Sequence, residues 1–260
     1  MSIVDLLRPT SGLKVLVTGG AAGIGAAIAK AFQEAQAHVY VCDIDPAAVE
    51  TISTTGIVAG VADVGKEDEA TRIVDAAATA LGGLDVLVNN AGIAGPTGRI
   101  EDLDPGEWER TITTNLNSQF YFLRRAIPVL KASKSPSILT MSSVAGRLGY
   151  PFRTAYASTK WATAGLVKSL AIELGPENVR INAILPGPVE GPRMNRVIEA
   201  RADALGVGFD EMKQTYLSKI SLRRMVSETD IAAVALFLSS PAARNITGQT
   251  ISVDANVEYL

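Results

Sequence analysis

Short apolar runs alternate with helically patterned stretches along this chain. Runs rich in valine and isoleucine at 13–18, 38–43, 56–61, 84–89, 136–141, 178–184 and 249–253 predict strands. Apolar residues at helical spacing predict helices over 23–35, 46–53, 66–82, 105–131, 154–175 and 228–239. Regular β–α alternation predicts an α/β fold, a doubly wound parallel sheet with helices on both faces. No linker, internal repeat or low-complexity tract divides the chain, so residues 1–260 read as a single domain. The alternation lapses at about 188–227, after Pro186-Gly187, where helical stretches run to Leu205 and around 209–220. A connection that long in a compact domain is usually functional.

Two local patterns carry chemistry. The run Leu13-Lys14-Val15-Leu16-Val17-Thr18 leads into Gly19-Gly20-Ala21-Ala22-Gly23-Ile24-Gly25 and then an alanine-rich helical stretch to Ala35. Strand, glycine turn and helix in that order suit a dinucleotide. The glycines let the backbone approach a pyrophosphate, and the helix start offers free N–H groups and a positive dipole end. Farther on, Tyr156 and Lys160 stand four apart, one turn from each other on a single helix face. A free phenol titrates near pH ~10. An ammonium beside it favours the phenolate, so such a tyrosine can take a proton from an alcohol or return one to a carbonyl. Ser143 ends the run Ile138-Leu139-Thr140-Met141-Ser142-Ser143, at the carboxyl end of a predicted strand, where ligands of such sheets bind.

Together these patterns resemble the short-chain dehydrogenase/reductase family, and the resemblance covers nearly the whole chain. Thr18-Gly19-x-x-x-Gly23-Ile24-Gly25 is similar to its cofactor turn, and Asn89-Asn90-Ala91-Gly92 to its fourth-strand motif. Asn115, Ser143, Tyr156 and Lys160 match its catalytic four, and Pro186-Gly187 the turn before its substrate loop. The resemblance implies a Rossmann-type fold, a nicotinamide cofactor and a substrate lid over about 188–227. It implies that Ser143 hydrogen-bonds the reacting oxygen and that Tyr156 is the general acid/base. Lys160 would lower the tyrosine pKa and hold the nicotinamide ribose, while Asn115 would kink its helix and hold a water linking Lys160 to solvent. The same resemblance puts Gly19, Gly23, Ile24 and Gly25 in the cofactor turn and Asp63 and Val64 at the adenine. It puts Asn90 near the nicotinamide ribose, leaves Asn89 to tie the fourth strand to its neighbours, and brings the backbone of Val189 to the carboxamide. Glu190-Gly191-Pro192 departs from the family, which often carries a threonine a little beyond this turn.

Cofactor choice follows from Asp43, at the end of the second predicted strand and about 20 residues past the glycine turn. Its carboxylate can accept from the adenosine ribose hydroxyls and would repel a 2′-phosphate. At ~4 Å and an effective dielectric of ~20, two unit charges interact by ~4 kcal/mol. Relatives that use NADP often carry a basic residue where Ala22 stands, so the expected cofactor is NAD. The expected reaction is NAD(H)-dependent interconversion of a secondary alcohol and a ketone. The enzymatic alternatives are a 3-oxoacyl carrier-protein reductase and a sugar or polyol dehydrogenase. A nucleotide sensor without chemistry is the alternative outside enzymes, and the intact Asn115, Ser143, Tyr156 and Lys160 oppose it.

Composition narrows the partners. With 47% hydrophobic residues, 20% charged residues and a net charge of −3, the chain has no basic excess to suggest a nucleic-acid partner. No segment approaches the ~18 consecutive apolar residues of a membrane span. The first dozen residues, with Asp5, Arg8 and Pro9, lack the apolar core of a signal peptide, so a cytoplasmic location is expected. One cysteine, Cys42, in an apolar run, and one histidine, His38, read as structural, and no metal is expected. Arg147 and Arg153 lie between Ser143 and Tyr156, and Arg193 begins the lid. Arginine there suits a carboxylate, sulfonate or phosphate, so a small anionic substrate is one expectation and surface ion pairs the other. Arg193, Arg196, Arg201, Arg223 and Arg224, set against Glu199, Asp203, Asp210 and Glu211, read mostly as a solvated helix face. Resemblance also implies a homotetramer paired through 105–131 and 154–175.

Overall fold

The computed structural model describes residues 2–260. A short helix α1 (Ile3–Leu6) precedes β1 (Lys14–Thr18), α2 (Gly23–Glu34), β2 (His38–Asp43), α3 (Pro46–Ser53), β3 (Val58–Val61), α4 (Glu67–Leu81) and β4 (Val86–Asn89). Then follow α5 (Pro105–Ile112), α6 (Ser118–Leu130), β5 (Ser137–Met141), α7 (Thr154–Leu174) and β6 (Arg180–Pro186). The chain closes with α8 (Pro192–Leu205), α9 (Phe209–Ser218), α10 (Glu228–Ser239) and β7 (Thr250–Val253). All strand pairs are parallel, in the order β3-β2-β1-β4-β5-β6-β7.

Alternate residues of each central strand feed opposite layers. Val15 and Val17 of β1 pack with α2, α3 and α10. Leu16 between them packs with α4, α6 and α7. A strand buried on both faces has no polar side to show, which is why these strands read as unbroken apolar runs. Strand order reverses between β1 and β4, and a crevice opens there at the carboxyl ends. No helix among the described residues is long and apolar enough to cross a membrane.

Boundaries depart from the sequence expectation most clearly in two places. The helix expected over 105–131 is interrupted by a wider π turn at Thr113–Asn117, between α5 and α6. The strand expected at 178–184 runs Arg180–Pro186, because Asn178 adopts a left-handed turn at φ 59 before the chain extends. The two helical stretches expected within 188–227, to Leu205 and around 209–220, fold as α8 and α9.

Candidate active site

The cofactor end of the crevice is built around the glycine turn. Gly19 leaves β1 at φ 58, a conformation that disfavours a side chain. Gly25 lies so close beneath the turn that an added Cβ would strike the Gly19 carbonyl and stand 2.6 Å from Asn90 Nδ2. Asn90 braces the turn: its Nδ2 donates to the carbonyls of Thr18 and Gly19, each at 2.9 Å, and its backbone N–H donates to Thr18 Oγ1 at 3.0 Å. That bracing is the contact the structure gives Asn90. Asn89, expected to tie the strand, is buried and reaches the Gln119 carbonyl at 3.4 Å.

α2 then begins at Gly23, after Ala22 at its N-cap, with no side-chain cap and no acidic residue in its first turn. By contrast, Asp45 caps α3, Ser227 caps α10, and three carboxylates crowd the first turn of α4. The start of α2, with Gly23 and Ile24, therefore keeps free N–H donors for an anion. Asp43 ends β2 partly exposed. Its carboxylate accepts from the backbone N–H groups of Ala21 at 3.2 Å and Asp45 at 3.3 Å, which holds it at the edge of the turn. Asp63 accepts from Gly65 N–H at 2.9 Å, with Val64 buried beside it. The Asp63 N–H donates to Glu69 at 2.8 Å, a brace that sequence reasoning missed. Across the crevice, Val189 pairs in parallel with Val226 through Pro188 O and Glu190 N–H. That pattern turns the N–H and C=O of Val189 itself away from Val226, free for a ligand. A glycine turn, an uncapped helix, a strand-end carboxylate and free backbone groups opposite fit a nicotinamide dinucleotide.

The catalytic candidates converge at the ends of β4, β5 and α7. Tyr156 and Lys160 share one face of α7, with Lys160 Nζ 5.5 Å from the Tyr156 ring centroid. The Ser143 hydroxyl is near enough to the phenol to favour its phenolate. It also caps the turn after β5 by accepting from Ala145 N–H at 3.2 Å. Burial pushes the Tyr156 phenol up, but the charges of Lys160 and Arg193, the Ser143 hydroxyl and the charge of Arg153 outweigh it, and the phenol is held below its ordinary value. Burial also pulls the Lys160 ammonium below its ordinary value, against the attraction of Tyr156. Lys160 Nζ donates to the Met141 carbonyl at 2.8 Å, which fixes it under the tyrosine. The neighbouring Ser142 is buried, and its hydroxyl donates to the Lys160 carbonyl at 2.8 Å, so it serves packing rather than the cleft.

Asn115 sits fully buried in the π turn. Its Oδ1 accepts from Ile93 N–H at 2.7 Å and its Nδ2 donates to the Ile93 carbonyl at 3.0 Å. A side-chain amide that copies a peptide pairing in this way offsets the helical bonds the wider turn gives up.

The arginines separate. Arg147 donates to Asp254 at 2.6 Å, so it is a paired structural residue and not a free anion clamp. Arg153 is buried, donates to the Ala94 carbonyl at 2.6 Å, and lies against the rings of Tyr150 and Tyr156. Arg193 is exposed and donates to the Gly92 carbonyl at 3.0 Å, which brings the lid onto the loop after β4. Arg201, grouped by sequence with a solvated face, is instead buried between Tyr150 and Tyr216. Cys42 is buried, and burial pushes its thiol up to about 12, so it stays protonated.

A family model described as enoyl-(acyl carrier protein) reductase matches residues 19–256. The chain is 36% identical over 251 residues to trans-4-hydroxycyclohexanecarboxylate dehydrogenase from Sinomonas cyclohexanicum, covering 92% of this chain and 90% of that protein. It is 36% identical over 249 residues to a 3-oxoacyl-acyl-carrier-protein reductase from Staphylococcus aureus, covering 93% and 96%. Among solved structures, NAD⁺-bound xylitol dehydrogenase aligns with a TM-score of 0.90 at 26% identity, covering 95% of this chain and 99% of that one.

Proposed function

This chain belongs to the short-chain dehydrogenase/reductase family of oxidoreductases, and we propose that it interconverts a secondary alcohol and a ketone with NAD(H). The observation that carries this reading is the Tyr156 phenol, set among Ser143, Lys160 and two arginine charges that hold it below its ordinary value. The bound cofactor supplies the hydride acceptor or donor. The protein supplies orientation and the proton. Ser143 and Tyr156 hold the alcohol O–H, and the phenolate takes its proton as hydride leaves the carbinol carbon. Lys160 keeps the phenolate favourable, and Asn115 keeps the loop after β4 in register with α7. Asp43 beside the turn supports NAD over NADP. A carrier-protein reductase is the second reading, favoured by the 36% identity to such an enzyme and opposed by Asp43.

The test is an NADH-absorbance assay over secondary alcohols and ketones, with cofactor titration alongside. NADH should bind more tightly than NADPH. Tyr156→Phe should lower kcat by at least ~10²-fold, the lower range for general acid–base catalysis, with cofactor affinity nearly unchanged. Near-native turnover in Tyr156→Phe would remove the mechanism, and tighter NADPH binding would remove the cofactor assignment.

A further inference from the structure

Resting on that reading, we propose that the substrate is a small hydroxy or keto acid whose carboxylate is held by Arg153 and Arg193 beside Tyr156. A cavity of about 500 Å³ lies between the loop after β4 and α8, and Arg153, Arg193 and Arg196 line it. Among the described residues, none of these three has a carboxylate within 4.0 Å, whereas Arg147 nearby is paired with Asp254. Arg153 is only 3% exposed, and its Nε has no hydrogen-bond partner. Arg201 stacks on Tyr150 behind it, 7% exposed and likewise with a partnerless Nε. The rings between them give no counter-charge. Tyr150 and Tyr216 share a hydrogen bond at 2.7 Å, and burial holds the Tyr150 phenol above its ordinary value, so it stays neutral.

A buried guanidinium without an anion is costly, and Arg153, enclosed with a partnerless Nε, lines the cavity with a charge that no carboxylate among the described residues offsets. The planar fork of arginine fits a carboxylate or phosphate oxygen pair. The Arg153 guanidinium lies 5.4 Å from the Tyr156 ring centroid. The cavity adjoins the phenol through Arg153 and is not itself lined by Tyr156 or Ser143, so a short acid is the length that joins the arginines to the catalytic hydroxyls, rather than a neutral thioester. In the oxidation the carbinol C–H bond breaks and its hydride passes to NAD⁺. The O–H proton passes to Tyr156, and the carboxylate leaves unchanged on a keto acid.

The experiment compares 2-hydroxybutanoate, 3-hydroxybutanoate and 4-hydroxypentanoate, each with its primary amide, on the native enzyme and on Arg153→Gln and Arg193→Gln. The best acid should exceed its amide in kcat/KM by about tenfold or more, since hydrogen bonds to charged groups are among the stronger ones. Both variants should bring that ratio toward one. The ratio cancels any general loss of cofactor binding or of tyrosine function, and exposed Arg193 gives a folded variant if Arg153→Gln does not fold. Amides used as well as acids by the native enzyme would overturn the carboxylate site while leaving alcohol oxidation intact. A second arm needs no turnover: acetate and inorganic phosphate are titrated against thermal melting. Acetate should stabilise the native protein more than Arg193→Gln. Equal shifts in both proteins would overturn the anion site, and a variant-sensitive shift with phosphate alone would overturn the carboxylate in favour of a phosphorylated alcohol.

Discussion

Tyr156 is held between opposing influences, and the outcome sets how the reaction responds to pH. Burial opposes the phenolate. The charges of Lys160, Arg193 and Arg153 and the hydroxyl of Ser143 favour it, and they win. Oxidation uses the phenolate, so kcat/KM for an alcohol should rise with pH through a midpoint below the ordinary phenol range and then level off. Reduction uses the protonated phenol and should fall through the same midpoint. Arg193→Gln removes a positive charge that favours the phenolate, so the midpoint should move to higher pH. A pH profile of native and variant enzyme checks this. A profile that does not move would show that the lid charge is screened from the phenol. The same residue-scale comparison explains why arginines could not be sorted by sequence. Arg147 and Arg153 are six positions apart, yet one is neutralised by Asp254 and the other is buried without an anion.

At the scale of elements, α7 carries two of the catalytic candidates, and a residue without chemistry sets how closely it approaches β5. A Cβ on Gly146 would lie 2.6 Å from the Lys160 carbonyl oxygen and would press on the Ser142 hydroxyl. Gly146→Ala should therefore lift α7 from the strand end and displace Tyr156 and Lys160 together. Overpacking of this kind costs about 1–3 kcal/mol, and a misplaced catalytic group costs rate as well. The expected result is a lower melting temperature with kcat/KM reduced by about tenfold or more. Native values for both would mean that the gap relaxes freely. Most elements were legible in the sequence because parallel strands buried on both faces must be apolar without a break. The motif residues were legible because a turn or a helix face fixes their spacing. The π turn was not: it depends on Asn115 meeting Ile93, a tertiary contact that no local pattern encodes. Burial of Arg201 depends in the same way on Tyr150, far back in the chain, and on Tyr216, one helix on. Asn90 was legible as part of a motif, but its hold on the Gly19 turn was not.

The whole molecule leaves one face of α7 without a partner. Trp161 is 52% exposed and Ile172 is 80% exposed, and their spacing of three helical turns puts them on the same side. Gly165 lies between them with open space where a Cβ would be. Glycine inside a helix costs about 1 kcal/mol relative to alanine, and nothing within the monomer requires it there. A second copy packing closely over Gly165 would explain both the glycine and the exposed apolar side chains. Phe120, 52% exposed on α6, lies on the same side of the sheet. We therefore expect a homo-oligomer, four chains by family resemblance, joined through α6 and α7. Gly165→Arg meets no obstruction inside one chain, so it should leave the fold intact while blocking close approach of a second helix. Light scattering should give the mass of four chains for the native protein and a smaller assembly for Gly165→Arg, with circular dichroism unchanged. A native monomer at micromolar concentration would overturn the expectation. A variant that keeps the native mass would move the interface off α7.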